Sequence, residues 1–376
     1  MPELRSSFLR DMSIPRGQPC VVRILIVGVH YATAPRRLLE RVAVSSHDLA
    51  RALLHLKAHV PESFVLSTCN RTEVYAAIEA DASDDALHAF LAEWSGAPPH
   101  DLRRAVRVRE YTGAVEHALR VTAGLDSMVL GEDQIQAQMK RALAAARDVG
   151  ALGPTLERLG AAALTCGKRV RTLTGVGRHS VSLESLAVRE AAQRHGDLRA
   201  ASILLIGAGE AAASIARHLA HAAARMVTVI SRSRERSASV AAPAGFATGA
   251  LSELGEALTH TDVVFTCTSA PHPVVTTEWL AHRLALREGA PLLCVDLGVP
   301  RDVDDAVASL PGVTVVGLDD LSGVAAAHRA QRASEVPAAE AIVTAETSRF
   351  LAWLRARTAR FEGTEATRRI PQAAHG

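Results

Sequence analysis

Aromatic residues are scarce in this chain: Phe, Trp and Tyr together make up 3% of 376 residues. Its cores must be built from Ala, Val and Leu rather than from clustered rings. Cysteine is sparse and unpatterned. Cys20, Cys69, Cys166, Cys267 and Cys294 form no CxxC and show no metal-ligand spacing, so no metal site and no disulfide framework is expected. Such a set fits a reducing, cytoplasmic setting. The first 23 residues are polar and basic with no apolar h-region, which speaks against a signal peptide. No apolar run is long enough to span a membrane. A net charge of +2 neither demands nor excludes nucleic acid, so any such contact must come from local patches. At 48% hydrophobic and 22% charged, the composition is that of an ordinary soluble globular protein.

Patterning divides the chain into an N-terminal extension (1–21, expected to be disordered), a first domain (22–165), a second (166–320, with a linking helix) and a helical segment with tail (321–376). In the first domain, Val22–Val29, Phe64–Leu66 and Val74–Ile78 read as strands. Pro35–Val44, His47–Ala58 (capped by Ser46), Asp84–Trp94, Ala114–Ala123 and Ile135–Val149 read as helices, with Pro98 and Pro99 breaking the chain. This is an α+β domain without a Gly-rich fingerprint. The most informative stretch lies inside it: Ser67-Thr68-Cys69-Asn70-Arg71-Thr72-Glu73, between two strands. The thiolate is the reactive form of cysteine, and a neighbouring guanidinium favours it. Arg71 stands two residues from Cys69. A small buried cysteine at a strand end is the bland alternative, and the polar neighbours count against it.

In the second domain Ile203–Ile206 is followed at once by Gly207-Ala208-Gly209-Glu210-Ala211-Ala212, a helix over Ser214–Ala223 and a strand over Met226–Ile230. Strand, glycine turn, helix and strand in this order give a G-x-G-x-x-A match its meaning, because the turn lets backbone N–H groups approach a pyrophosphate. Later strands at Val263–Thr266, Leu292–Asp296 and Val313–Val316 complete an α/β, Rossmann-type doubly wound sheet. Where an NAD site places an acid, this chain has Ser231-Arg232-Ser233-Arg234. An arginine there pairs with a 2′-phosphate, so NADPH is expected over NADH. From Ser322 to about Arg360 a charged, Ala-rich stretch reads as one long helix kinked near Pro337, of the kind that serves assembly, followed from Gly363 by an unstructured tail.

Together these features resemble the glutamyl-tRNA reductase family, over roughly Val27 to Leu354. Ser67–Glu73 looks like the family's nucleophile motif. Gly124-Leu125-Asp126-Ser127-Met128-Val129-Leu130-Gly131-Glu132-Asp133-Gln134-Ile135, continuing to Gln138 and Lys140, is similar to a second signature. Lys168–Thr172, Asp296–Asp302 and Asp319–Leu321 resemble three more, and their order is what makes the match specific. The resemblance implies attack by Cys69 on the ester of glutamyl-tRNA, release of tRNA, and reduction of the thioester by NADPH to glutamate-1-semialdehyde for tetrapyrrole synthesis. It assigns substrate contacts to Thr68, Asn70, Arg71, Ser127, Glu132, Asp133, Gln134 and Gln138. Arg71 would take the side-chain carboxylate and Glu132 the α-ammonium group. His117 would serve in proton transfer or in activating Cys69. Gly207–Ala212 and Ser231–Ser233 would hold the cofactor. A homodimer and a glutamate-1-semialdehyde aminomutase partner also follow from the resemblance.

The chain departs from the family at four places. His30-Tyr31 replace Asn-His before Ala32-Thr33-Ala34-Pro35; Leu173 replaces Glu; Ser231-Arg232-Ser233 replace Asn-Arg-Thr; and the C-terminal helical region is short, which would weaken the dimer. Two alternatives stay open: a paralogue reducing another aminoacyl-tRNA, and a non-catalytic tRNA-binding relative. The run Lys168, Arg169, Arg171 and Arg178 is either a phosphate-contacting patch or a solvated helix face. His30, His55, His59, His88, Cys166, Cys267 and Cys294 are read as structural.

Overall fold

The computed structural model describes residues 22–45, 47–128, 130, 131, 134–177, 182–286, 290–331 and 333–368. Near the N-terminus, β1 (Arg23–His30) pairs antiparallel with β3 (Arg71–Ile78), in a register that sets Gly28 opposite Glu73 and His30 opposite Arg71. Outside them lie β2 (Ser63–Ser67) and β4 (Arg107–Glu110), giving the order β2-β3-β1-β4. Successive side chains alternate between faces. Leu25, Val27, Val29, Val74 and Ala76 therefore share one face, while Ile26, Gly28, His30, Arg71, Glu73 and Tyr75 share the other. A continuous core joins this sheet to helices Leu49–Lys57, Tyr111–Thr122, Gln134–Asp148, Pro154–Leu173 and Val336–Arg368. Phe64 stacks on Tyr75 with ring centroids 4.3 Å apart, one of the few ring pairs available to this aromatic-poor chain.

The second sheet is parallel, in the order β10-β9-β8-β5-β6-β7. Its strands are β5 (Ser202–Ile206), β6 (Met226–Ser231), β7 (Ala247–Ala250), β8 (Val263–Thr266), β9 (Leu292–Asp296) and β10 (Val313–Val316). The chain turns one way from β5 and the other way from β8, so a ligand crevice is expected beyond their carboxyl ends. There lie Gly207 and Cys267.

The structure departs from the sequence reading in several places. Pro99 opens a helix, Pro99–Ala105, because its missing N–H costs nothing in a first turn. β4 has four exposed residues and no apolar alternation to reveal it. β7 is likewise a weak Ala-Thr-Gly-Ala strand. The division expected at 165/166 falls inside the unbroken helix Pro154–Leu173, whose Cys166 and Val170 belong to the first core. In place of one kinked helix there are two, Leu318–Gln331 and Val336–Arg368, with Pro337 tolerated in the first turn of the second. That helix also continues past Gly363. Ala339, Val343, Phe350, Leu351 and Leu354 bury one side of it in the first core, so its first half is part of the N-terminal domain. No helix among the described residues is long and apolar enough to cross a membrane.

Candidate active site

The β2–β3 hairpin holds its tip by satisfying its own polar groups. Thr68 N–H donates to Arg71 O at 2.8 Å, and Asn70 N–H donates to Thr68 Oγ1 at 3.1 Å. Ser67 Oγ accepts the Val44 N–H at 2.9 Å and lies 3.0 Å from Thr72 Oγ1. Tyr31 N–H donates to Asn70 O at 2.9 Å, tying the turn to the end of β1. Cys69 is half-buried at the tip and packs against the core of the second domain. It lines a cavity of about 530 Å³ together with Ser67 and Thr68 on one side and Arg232, Ser269 and Pro300 on the other. A second cavity, of about 130 Å³, takes in Cys69, Asn70, Tyr31, Arg36 and Met128. Asn70 is 6% exposed, and its Oδ1 is buried with no donor among the described residues.

Arg71 does not project from this turn. Strand alternation sends it under the sheet with Glu73 and Tyr75, where it is 2% exposed. Its Nη1 lies 3.3 Å from Glu73 Oε1, and its Nη2 donates to Asp126 O at 2.5 Å. Glu73 Oε1 also faces His117 Nε2 at 2.8 Å, and Oε2 accepts from Tyr75 OH at 2.9 Å. The other ring nitrogen, His117 Nδ1, is 3.2 Å from Asp126 Oδ2. With a carboxylate oxygen at each ring nitrogen, His117 must donate twice and is an imidazolium. Gly28 makes room for this cluster: a Cβ there would meet Thr72 O at 2.4 Å and Glu73 Cγ at 2.9 Å.

The protonation states agree with the geometry. Burial pushes the Glu73 carboxyl up, but His117 and Arg71 outweigh it and hold Glu73 at about 2. Burial pushes His117 down, and Glu73 and Asp126 more than reverse this. Asp126 is held well below the carboxylate range against its own burial, by His117, Arg120 and Arg71. His30, whose Nε2 lies 3.4 Å from Asp126 O, is lowered to about 4 by burial and by Arg71, and is neutral. His30, read as structural, thus borders the cluster.

In the second domain the Gly turn has the form the sequence predicts. Gly207 has φ +136°, a conformation L side chains rarely adopt, and a Cβ there would meet Cys267 O at 2.9 Å. Gly209 precedes the helix Glu210–His221 with open space where a Cβ would stand. Ala212 is fully buried against the sheet. Arg232 follows β6 directly and enters the cavity. Ser231 Oγ is spent on Ser233 O and Ser237 Oγ, both at 2.8 Å, and Ser233 caps the next helix. Arg232 is therefore the group of that trio left to meet a ligand. Glu210 pairs with Arg141 across the domains. Asp296 accepts N–H groups from Gly298 at 2.8 Å and Asp302 at 3.1 Å, fixing the loop whose Val299 and Pro300 border Cys69. A turn open at Gly209 and a helix N-terminus fit a nicotinamide dinucleotide.

The remaining assigned residues are scattered. Ser127 is buried beside Asp126. Gln134 Nε2 donates to Glu184 Oε1 at 2.7 Å, bridging to the helix Leu183–His195, and Gln138 lies half-buried one turn on. Glu132, Asp133 and Arg178, like the Ser46 cap, lie outside the described residues. Arg169 is drawn to Glu346 of the terminal helix, so that member of the basic run ties two helices together. Cys166 and Cys294 are buried and Cys267 half-buried. Glu73, Asp126, Arg120 and Gly28 were not singled out from the sequence as site residues. The signal available was the polar alternation Arg71, Glu73, Tyr75 in an otherwise apolar strand.

Both halves of the chain are similar to known proteins. Residues 27–174 match the family described as glutamyl-tRNAGlu reductase, N-terminal domain, and residues 189–324 match shikimate / quinate 5-dehydrogenase. The glutamyl-tRNA reductase of Roseiflexus castenholzii is 41% identical over 334 residues, covering 88% of this chain and 78% of that protein. That of Deinococcus radiodurans is 40% identical over 326 residues, covering 87% and 91%. The solved glutamyl-tRNA reductase from Methanopyrus kandleri is 31% identical, covering 88% of this chain and 80% of that one with a TM-score of 0.48. The Cys69 hairpin and the strand end bearing Arg232 line one cavity, and a chain about 40% identical to the Roseiflexus and Deinococcus proteins over most of their length is an oxidoreductase that belongs to the glutamyl-tRNA reductase family.

Proposed function

We propose that this chain reduces glutamyl-tRNA to glutamate-1-semialdehyde with NADPH, through a thioester on Cys69. One observation carries the reading: Cys69 and Arg232, from different domains, line the same cavity. A nucleophile needs no dinucleotide site beside it unless its adduct is to be reduced there.

The Cys69 thiolate attacks the carbonyl carbon of the aminoacyl ester. A C–S bond forms, the C–O bond to the terminal ribose breaks, and the tRNA oxygen leaves as a hydroxyl, taking through solvent the proton that the Cys69 thiol gave up. The thioester then stands in a cavity walled by Val299 and Pro300, with the Gly207–Ala212 turn and Arg232 placed to hold the cofactor. When bound, NADPH supplies the hydride, which the thioester carbonyl accepts more readily than an oxygen ester does. Collapse of the C–S bond returns the thiolate and frees the aldehyde. Asn70 Oδ1, buried with no donor among the described residues, is the acceptor that a substrate ammonium or hydroxyl satisfies; such an orphan costs about 1–3 kcal/mol until it is paired. For Arg71 to clamp the substrate carboxylate, it would have to exchange Glu73 or the Asp126 carbonyl for it. The same reading includes a homodimer and transfer of the aldehyde to an aminomutase, both testable by co-sedimentation.

Two substitutions test the cofactor half. A hydrogen bond to a charged group contributes about 1.5–3 kcal/mol, so Arg232→Ala should shrink the NADPH-over-NADH preference in kcat/KM by roughly 10- to 150-fold. Equal use of both cofactors by the parent enzyme contradicts the assignment. Gly209→Asp adds a carboxylate in open space, where it disturbs no packing but opposes a pyrophosphate. That variant should lose reduction while still deacylating glutamyl-tRNA. If it stays folded and does neither, the two steps do not separate between the domains.

A further inference from the structure

We propose that Arg120 and Glu340 are positioning residues for the Cys69 chemistry, and that the first turns of the terminal helix are a working part of the catalytic domain. The proposal rests on Cys69 being the nucleophile. It is carried by a row of six charged groups of alternating sign. Arg71 lies 3.3 Å from Glu73; Glu73 is 2.8 Å from His117; His117 is 3.2 Å from Asp126; and Asp126 Oδ1 is 3.2 Å from Arg120 Nη2. Arg120 Nη1 then pairs with Glu340 Oε1, on the helix Val336–Arg368. At one end of the row, the Arg71 carbonyl accepts the Thr68 N–H that closes the turn around Cys69. At the other end, Ala339 and Val343 are fully buried on either side of Glu340, so its backbone is fixed by packing.

The row is balanced only when Glu340 is present. With both nitrogens of His117 donating, its charges run plus, minus, plus, minus, plus, minus. Remove Glu340 and Arg120 keeps Asp126 as its one ion-pair partner among the described residues. It then competes with His117 for the Asp126 carboxylate, and the disturbance passes through Glu73 to Arg71 and the turn. Arg120 and Glu340 are half-buried, at 27% and 30% side-chain exposure, but they connect to Glu73 and His117, which are buried where an unbalanced neighbour is costly.

The test is a double-mutant cycle in the full chain: Arg120→Ala, Glu340→Ala and both together. Three quantities are measured: the rate at which iodoacetamide alkylates Cys69, followed by mass spectrometry of its peptide; kcat and KM separately; and the melting midpoint. Each single variant should lower the alkylation rate and kcat by about 3- to 30-fold, the range expected for residues sharing one network, with KM for NADPH unchanged. The double variant should be no worse than the poorer single. Parental alkylation and kcat in Glu340→Ala overturn the proposal, and so do a lowered melting point with no change in either rate, or strictly additive losses. Failure of the parent to form a glutamyl adduct at Cys69 would instead count against the proposed function, and the alkylation comparison would still decide the role of Arg120 and Glu340.

Discussion

Cys69→Ser is expected to leave a folded protein that still binds tRNA but reduces glutamyl-tRNA about 10⁴-fold more slowly, or undetectably, the scale of losing a covalent nucleophile. The turn itself should survive, because Thr68, Asn70 and Arg71 hydrogen-bond to one another across it. Chemistry should not survive. A serine hydroxyl needs a base to take its proton. His117 cannot be that base in this arrangement, since each ring nitrogen already faces a carboxylate, at 2.8 and 3.2 Å. Any adduct that did form would be an oxygen ester, a poorer hydride acceptor. NADPH oxidation with charged tRNA measures the loss, and filter binding measures the retained affinity. Activity near the parental level in Cys69→Ser would remove the covalent mechanism.

The second large effect is on stability. Glu73→Ala should destabilise the first domain by about 3–5 kcal/mol, the cost of breaking a buried ion pair by removing one partner. Glu73 is 4% exposed and holds Arg71, His117 and Tyr75 at once, so its removal takes a buried partner from two cations and a hydroxyl, leaving the cations, among the described residues, only their contacts with Asp126. Denaturant titration gives the number. A midpoint within about 1 kcal/mol of the parent would show that the cluster contributes no more than an exposed pair does.

The cluster also sets a pH window, and the sign follows from the direction of each shift. Glu73 is depressed from 4.5 to about 2, so its contribution is complete above about 4.5 and is lost as pH falls through 2. His117 is raised above 6.5, so its contribution is complete below 6.5 and is lost as pH rises through its folded value. Parental stability should therefore carry the cluster's full contribution between about 4.5 and 6.5, and in Glu73→Ala that part of the pH dependence should flatten.

Much of this site could be read from the chain, and the rest has physical reasons for being hidden. The turn around Cys69 is local: two strand-like runs enclose polar residues that bond to one another within three positions. The Gly207–Ala212 turn is local too, and so is the strand end that bears Arg232. Its closeness to Cys69 suggests that Arg71 belongs to the turn, yet β3 already begins at Arg71 and the pleat turns that side chain beneath the sheet. Glu73 lay in full view inside the same motif. Its role depends on His117, 44 residues away, and no periodicity links the two. Glu340 is 220 residues from Arg120, and that pairing depends on where the terminal helix docks. Pro337 marked a real break, but placing it in a first turn rather than mid-helix required knowing where Val336–Arg368 starts. Contacts within a turn or strand end are encoded by neighbours, whereas a buried charge network is encoded by topology.

The most direct test mixes the parent enzyme with glutamyl-tRNA in the absence of NADPH, quenches in acid, and determines the mass of the Cys69 peptide. The account predicts a glutamyl adduct on Cys69, removed by hydroxylamine and consumed on addition of NADPH with release of the aldehyde. Reduction of glutamyl-tRNA by an enzyme whose Cys69 never carries that mass, or carries it without losing it to NADPH, would contradict it.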